Sequence, residues 1–489
     1  MKRVVLCALN ARYSHTCAAL YYLREYCRDT GCEFIITELT INMAPLHILD
    51  AIAGVNPDAV CISVYIWNAD IVRRILPEIK KILPHCVIVL GGPEVSHDPR
   101  SWRAALPCID YIITGPGEAS MRYLLSGDFT HDEKMLSMPN PHFSTIPFPY
   151  TREDLNLMRN RYIYYEGSRG CPHRCSYCLS SRTDLPLEHR DLETIQKELL
   201  FLMESRPRIV KFVDRTFNAR RDIARGVWRF LIDNAGDTRF HFEVHPATLE
   251  DEDFDILSRA PDGLFQFEIG IQSTNAAALR EIRRIGEWET VQKNVLALVK
   301  LGAIHIHLDQ IVGLPFEDIR SIEQSFNDIY SLGGDHFQLG FLKVLPGTVM
   351  DEKKCVYGML HTDSAPYLIL ANRWLTFDEI TGIKKIEEIL NAVYNTGKFR
   401  ATLAALEPRF DSPFAFFSAL ARFWSARGWD HRTKDWRTVA ERIACFAEHA
   451  IPHSKDAIVD SLRLDWSGFS TAPMPALRRP AEGPFPTPT

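Results

Sequence analysis

Short apolar runs alternate with helix-period segments over the first quarter of the chain. Val4–Leu9, Phe34–Leu39, Ala59–Tyr65, Val87–Leu90 and Tyr111–Thr114 are the runs. Ala18–Arg28 and Ile71–Leu83 are two of the helical segments between them. Continuous apolar strands separated by helices predict a parallel sheet covered on both faces. The loops after the strands are Asn10–His15, Trp67–Asp70, Gly91-Gly92-Pro93-Glu94 and Gly115-Pro116-Gly117-Glu118. In open α/β sheets ligands bind beyond the carboxyl ends of strands, and glycines there let a backbone approach a ligand closely. The same glycines serve equally in plain tight turns.

Residues 126–160 change character. Pro139-Asn140-Pro141-His142, Pro147 and Pro149 predict a linker. A second alternating pattern follows, with strand-like runs at Tyr162–Gly167, Ile209–Asp214, Phe240–Val244, Leu264–Ile271, His305–Val312 and His336–Val344. Leu192–Met203 and Ala224–Asn234 are helical stretches between them. A full eight-unit barrel needs roughly 250 residues, so this shorter region predicts a partial (β/α)6 TIM-type barrel. Beyond Asp363 the strand signal fades, and Tyr367–Leu375, Asp378–Tyr394, Pro413–Arg427 and Trp436–His449 read as helices. The expected division is a Rossmann-like domain over 1–125, a linker over 126–160, the barrel over 161–350, a helical domain over 351–466 and a disordered proline-rich tail over 467–489.

Composition narrows the function classes. Of 489 residues 46% are hydrophobic and 24% charged, ordinary values for a globular protein. The net charge of −6 gives no basic excess for nucleic acid. No apolar run reaches the roughly 18–20 residues of a membrane span. Polar residues Asn10, Arg12 and His15 interrupt the apolar start, so a first strand and a cytoplasmic protein are expected rather than a signal peptide.

Nine of the twelve cysteines are dispersed, and Cys61 and Cys86, in or beside apolar strands, read as small core side chains. Cys171, Cys175 and Cys178 crowd into eight residues of Glu166-Gly167-Ser168-Arg169-Gly170-Cys171-Pro172-His173-Arg174-Cys175-Ser176-Tyr177-Cys178. Thiolates are soft ligands for zinc, copper(I) or iron–sulfur clusters. Three of them leave one iron of a [4Fe–4S] cubane open to an exchangeable ligand. A closed zinc site with His173 or His189 as fourth ligand is the alternative.

The C-x3-C-x2-C spacing after the first barrel strand, with an aromatic before the last cysteine, resembles the radical S-adenosylmethionine (SAM) superfamily. Val210–Asn218, Phe265–Ser273 and Asp309–Pro315, on successive strand-like runs, extend the likeness to the branch with an N-terminal cobalamin-binding-type domain. The Lys211–Asn218 run and Leu9–His15 resemble a subgroup with an extra C-terminal domain. The resemblance covers roughly residues 1–350. It implies that Cys171, Cys175 and Cys178 hold a [4Fe–4S] cluster whose fourth iron is chelated by SAM. One-electron reduction then cleaves a C–S bond of SAM. Tyr177 falls near the adenine, Phe212 and Asp214 where the family contacts the SAM amino group, and Glu243 or His245 within reach of the ribose or carboxylate. Gln272, Ser273, Val312, Gly313 and Leu314 border the adenosyl moiety. Cobalamin is implied by the first domain, although residues 1–125 lack an Asp-x-His-x-x-Gly signature. Either the cofactor binds without a protein histidine, or the domain keeps only the fold. His15, His47, His85 and His97 read as ordinary polar residues.

Asp214, Glu243, Glu268 and Asp309 are acids within apolar strands, where an uncompensated charge is costly. A site role is expected for Asp214. Structural pairing with Arg215, Lys343 or His307 is expected for the others. His305 and His307 share a strand face, and hydrogen bonding is expected there before metal binding. Cys355, after the last strand, is a candidate proton or electron donor, or thiophilic ligand, at the mouth of the site. The leading expectation is a SAM-derived carbon transfer to a small molecule, first of all cobalamin-dependent methylation. Alternatives are 3-amino-3-carboxypropyl transfer to a nucleophile such as arsenite, a 5′-deoxyadenosyl-radical rearrangement or cyclisation, and a non-catalytic iron–sulfur or zinc scaffold. An electron donor such as flavodoxin or ferredoxin is the expected partner, with no nucleic acid and no membrane.

Overall fold

The computed structural model describes residues 1–181, 186–478 and 480. Six strands form the first sheet: β1 (Arg3–Asn10), β2 (Glu33–Thr40), β3 (Ala59–Ser63), β4 (Val87–Gly91), β5 (Tyr111–Ile113) and β6 (Met135–Leu136). All pair in parallel in the order β2-β1-β3-β4-β5-β6. Side-chain alternation divides β1 between two cores. Val4, Leu6 and Ala8 face one and Val5, Cys7 and Leu9 the other, so the strand reads as unbroken apolar sequence. Cys61 and Cys86 are buried within these cores. The expected linker supplies β6 and a helix, Arg152–Leu157, closed by a Thr151–Asp154 capping box.

The second sheet comprises β7 (Ile163–Tyr165), β8 (Ile209–Phe212), β9 (Arg239–Glu243), β10 (Phe265–Gln272), β11 (His305–Val312) and β12 (His336–Phe341). They pair in parallel and in chain order, with the helices between them. This is the partial six-unit barrel. Phe240, Phe242, Phe265 and Phe267 are fully buried on the helix-facing side, each contributing roughly 1.5–3 kcal/mol by burial. The intervening inward positions carry polar side chains.

The C-terminal region packs on the barrel. Helix Pro413–Ala426 lays Phe414 and Phe417 against Phe326 of the barrel helix Ile319–Ser331. Residues 367–375, expected to be helical, instead contain strand Ile369–Ala371, paired antiparallel with Leu360–His361. Of the expected disordered tail, residues 472–478 lie against the last helices. Trp466 Nε1 donates to Ala472 O at 2.6 Å, and Leu477 packs on the core. Residues 479 and 481–489 lie outside the described residues. Among the described residues no helix is long and apolar enough to cross a membrane.

Candidate active site at the barrel mouth

The cysteine loop leaves β7 through a turn built on a buried acid. Asp214 Oδ2 accepts the N–H of Gly167 at 3.0 Å, and Oδ1 accepts the hydroxyl of Ser168 at 2.5 Å. Burial pushes the Asp214 carboxyl up to about 6 against these bonds. Cys175 is buried, while Cys171 and Cys178 are half-buried, and all three thiols are free. Burial raises Cys175, and the guanidinium of Arg284 opposes that rise from 3.9 Å. A second nitrogen of Arg284 donates to Gly270 O, tying the loop to β10. Cys171 Sγ lies 3.7 Å from Thr216 Oγ1.

The loop is incomplete as protein alone. Among the described residues, His173 Nε2, Ser176 Oγ, His189 Nε2 and both ring nitrogens of His245 are buried with no hydrogen-bond partner. Such groups cost roughly 1–3 kcal/mol each. Burial depresses His245 to about 3, and its ring lies 4.8 Å from that of His173. Among the described residues no three His, Cys, Asp or Glu converge as on a single ion. A cubane offers each thiolate its own iron, so its three thiols need not meet at a point. Three free soft donors bordered by orphaned polar atoms fit such a cluster with an added chelating ligand.

The lumen below is polar, and its register is explicit. Tyr164, Lys211, His241, Gln266 and His305 are successive cross-strand neighbours. Glu243, Glu268, His307 and His336 form the next row, with Gly270, Asp309 and Gln338 above it. Glu268 pairs with His241 at 3.0 Å, which holds its carboxyl low. Glu243 stands 3.8 Å from Arg215 and is pushed up to about 7 by desolvation. Asp309 is raised well above the carboxylate range by burial and by its neighbours Glu268 and Glu243. The expected pairing holds only in part: Glu268 takes His241, on the neighbouring strand. The rings of His305 and His307 meet edge-on at 4.8 Å, and Gln266 Nε2 lies 2.8 Å from His307 Nε2.

Several expected SAM contacts sit at this mouth but turn their side chains elsewhere. Phe212 is buried among Tyr165, Phe217 and Phe242, because strand alternation directs Lys211 rather than Phe212 into the lumen. Ser273 is fully buried and donates to Glu317 Oε1 at 2.5 Å. Val312 and Leu314 are core residues. Their side chains are taken up by the core, so these four positions have only backbone to offer, and Val312 O already accepts the N–H of Leu342 at 2.9 Å. His245, Gly270, Ile271, Ser273 and Arg284 line a small cleft beside the loop. Tyr177 is half-buried against the core, and Gln272 ends β10 with φ +74°. Cys355 is exposed, five residues beyond Met350, whose N–H donates to Ser176 O at 2.9 Å.

The first domain turns its carboxyl-end loops to the same mouth. Tyr162 N–H donates to Ser14 O at 2.7 Å, and His15 Nδ1 lies 2.6 Å from Tyr164 Oη. Arg169, two residues before Cys171, bonds Glu118 of the Gly-Pro-Gly-Glu loop at 2.6 Å. The rings of Tyr65 and Trp67 stack at 4.3 Å, with Trp67 and Tyr13 exposed. Open space faces Gly115. Exposed aromatic faces and approachable loop backbone fit a large planar cofactor such as a corrin.

Family models match in chain order: a B12 binding domain over 4–125, the radical SAM superfamily over 165–329 and a protein family of unknown function, DUF4080, over 356–477. The chain carries a radical SAM domain behind an N-terminal B12-binding domain. Its domains imply a [4Fe–4S] cluster, SAM and cobalamin. The chain is 24% identical over 333 residues to the cobalamin-dependent radical SAM methyltransferase TokK of Streptomyces tokunonensis, covering 60% of the chain and 48% of TokK. It is 24% identical over 359 residues to the 2-(S-pantetheinyl)-carbapenam-3-carboxylate methyltransferase of Streptantibioticus cattleyicolor, covering 64% and 52%. The chain thus spans about half the length of these relatives. Its fold is that of two solved proteins. One is the radical SAM methyltransferase TsrM of Kitasatospora setae (TM-score 0.62, 16% identity, 75% and 80% covered). The other is the cobalamin-dependent enzyme OxsB (TM-score 0.66, 13% identity, 96% and 79% covered).

Sequence reasoning missed four contributors. Arg284, Asn218, Glu317 and Tyr367 act on residues 14 to 273 positions away. No local motif signals Arg284 or Tyr367, whereas Asn218 ends the Lys211–Asn218 run and Glu317 lies two residues beyond the Gly313-Leu314-Pro315 turn.

Proposed function

We propose that this protein is a cobalamin-dependent radical SAM methyltransferase acting on a small molecule. The observation that carries the reading is the junction at Arg169, where the three-thiol loop and the carboxyl-end loop of the B12-binding domain share one ion pair. Bound together, the cofactors supply reductive cleavage of SAM and a methyl group for transfer. Cys171, Cys175 and Cys178 hold the cluster, and Arg284 brings its cation to the loop. Tyr177, Glu243, His245 and Gln272 offer side chains to SAM. Phe212, Ser273, Val312, Gly313 and Leu314 offer backbone, and Asp214 acts through the turn it supports. The lumen carboxyls and imidazoles, Asp309 foremost, face the substrate and can hold or accept a proton. A flavodoxin- or ferredoxin-type donor supplies electrons.

The test is anaerobic reconstitution of the full chain with quantification of iron, sulfide and cobalt, then reduction with SAM and mass spectrometry of its fragments. About four irons, bound cobalamin and S-adenosylhomocysteine are expected. No cobalt and 5′-methylthioadenosine would overturn the reading in favour of aminocarboxypropyl transfer. One zinc and no iron would leave a scaffold.

A further inference from the structure

The region matched to a family of unknown function begins with a hairpin, Leu360–His361 with Ile369–Ala371. It continues beyond the barrel sheet: Lys343 bridges Leu368 antiparallel, Ile369 N–H donates to Leu342 O, and Val344 N–H donates to Tyr367 O. Its tip crosses to the first domain, where Ala365 packs on the core of that sheet. There Tyr367 Oη donates to Glu94 Oε1 at 2.5 Å, across 273 residues of sequence. Glu94 is nearly buried and closes the Gly91-Gly92-Pro93-Glu94 loop. Tyr367 holds φ +57°, an unfavourable left-handed conformation for a non-glycine residue. Such a residue persists only where its surroundings over-determine it. At its other end the hairpin reaches the turn that follows β11. Asn372 Nδ2 donates to Gly313 O at 3.0 Å. Ile369 seals Gly313 so closely that a Cβ there would stand 2.9 Å from Ile369 Cγ2.

One hairpin thus holds one loop of the B12-binding domain and the turn at Gly313 after β11, whose backbone the reading above assigns to SAM. We infer that it is a clamp that positions the two cofactor half-sites, with Tyr367 setting the Gly91–Glu94 loop and Asn372 setting the Gly313 turn. The inference rests on the cobalamin-dependent reading above and gives the C-terminal region a role in cofactor binding. Tyr367 and Asn372 are positioning residues, since each acts through another group.

The experiment uses the full chain with its cluster reconstituted, titrated separately with hydroxocobalamin by absorbance and with SAM by calorimetry. Tyr367→Phe keeps the ring and removes the donor. It is expected to weaken hydroxocobalamin about tenfold and leave SAM binding and the melting temperature unchanged. Asn372→Asp keeps the oxygen that accepts the N–H groups of Trp374 and Leu375 but removes the donor to Gly313. It is expected to weaken SAM severalfold and spare hydroxocobalamin. Combining Tyr367→Phe with Glu94→Met, which keeps the length of the side chain without an acceptor, should cost no more than Tyr367→Phe alone, because both remove one bond. Unchanged affinities in both single variants would overturn the clamp. Parallel loss of both affinities with a lower melting temperature would also overturn it, showing a purely structural arm. Wild-type protein that takes up no hydroxocobalamin would sink the cobalamin reading itself, whatever the variants do.

Discussion

Asp214 and Ser168 meet at 2.5 Å beneath the turn that launches the cysteine loop. The acid is 3% exposed, and its other oxygen is taken by Gly167 N–H. Asp214→Ala strands two buried donors, at a cost of about 2–4 kcal/mol, and loosens the loop that follows. Iron per chain after reconstitution is expected to fall together with the melting temperature. Ser168→Ala, which removes one bond, should do less. Full iron with selective loss of SAM affinity would instead mean that the carboxylate touches SAM.

Arg169 joins Glu118 at 2.6 Å and Glu166 at 3.0 Å, and its guanidinium lies over the rings of Tyr22 and Phe143. Both acids are largely buried. Arg169→Met keeps the packing and leaves two carboxyls without their cation. Breaking a buried pair in this way costs about 3–5 kcal/mol. Denaturation by urea should report that loss, and Glu118→Gln in the same background should recover part of it. A variant as stable as the wild type would show that the pair is dispensable for domain docking.

Glu317 gives a pH dependence of unusual sign. It is fully buried, and burial pushes its carboxyl up to about 7. A raised folded-state carboxyl keeps its proton while the unfolded chain has released it. Its stabilising contribution is therefore complete below about 4.5 and declines as pH rises to about 7. A tenfold difference in proton affinity between the folded and unfolded chain is worth about 1.4 kcal/mol. Glu166 and Glu243, also raised to about 7, act in the same direction. Buried His245, depressed to about 3, opposes this trend below about 6.5, so the contribution of Glu317 lies in the difference: between pH 5 and pH 7.5 the melting temperature of the wild type should lose ground against that of Glu317→Gln. Equal slopes in the two proteins would show that Glu317 is ionised throughout.

Where residues answer only to local pattern, the sequence is readable. Val4–Leu9 has to be a doubly covered strand because both of its faces are apolar, and Cys171, Cys175 and Cys178 are grouped by spacing alone. Tyr367–Leu375 resembles a helix in sequence because a short apolar run suits either state. Backbone hydrogen bonds to Leu342 and Val344 decide it in favour of the hairpin. Residues 472–478 have the prolines of a disordered tail, yet Trp466 and Leu477 anchor them. The place of Phe212 in its motif points to the site, but the pleat of β8 turns its ring into the aromatic core. Arg169–Glu118 and Tyr367–Glu94 join residues far apart in sequence, and pairing of that kind leaves no trace in a single chain.

Gly92 and Gly115 separate steric need from conformational need in the first domain. Gly92 sits at φ +105°, and a Cβ there would stand 2.5 Å from Val64 O and 2.9 Å from Val64 N. Val64 follows β3 directly and its N–H is bonded to Gly91 O, so its backbone cannot move aside cheaply and Gly92→Ala must displace the loop that Glu94 closes. Gly115 sits at φ +72° with no atom within 4 Å of the same position. Gly115→Ala therefore carries only the left-handed penalty of about 1–2 kcal/mol. Gly92→Ala is expected to lose more stability than Gly115→Ala by urea denaturation, and to lose hydroxocobalamin binding as well. Equal losses in the two variants would mean that the loop yields to a methyl group and that φ alone sets the cost.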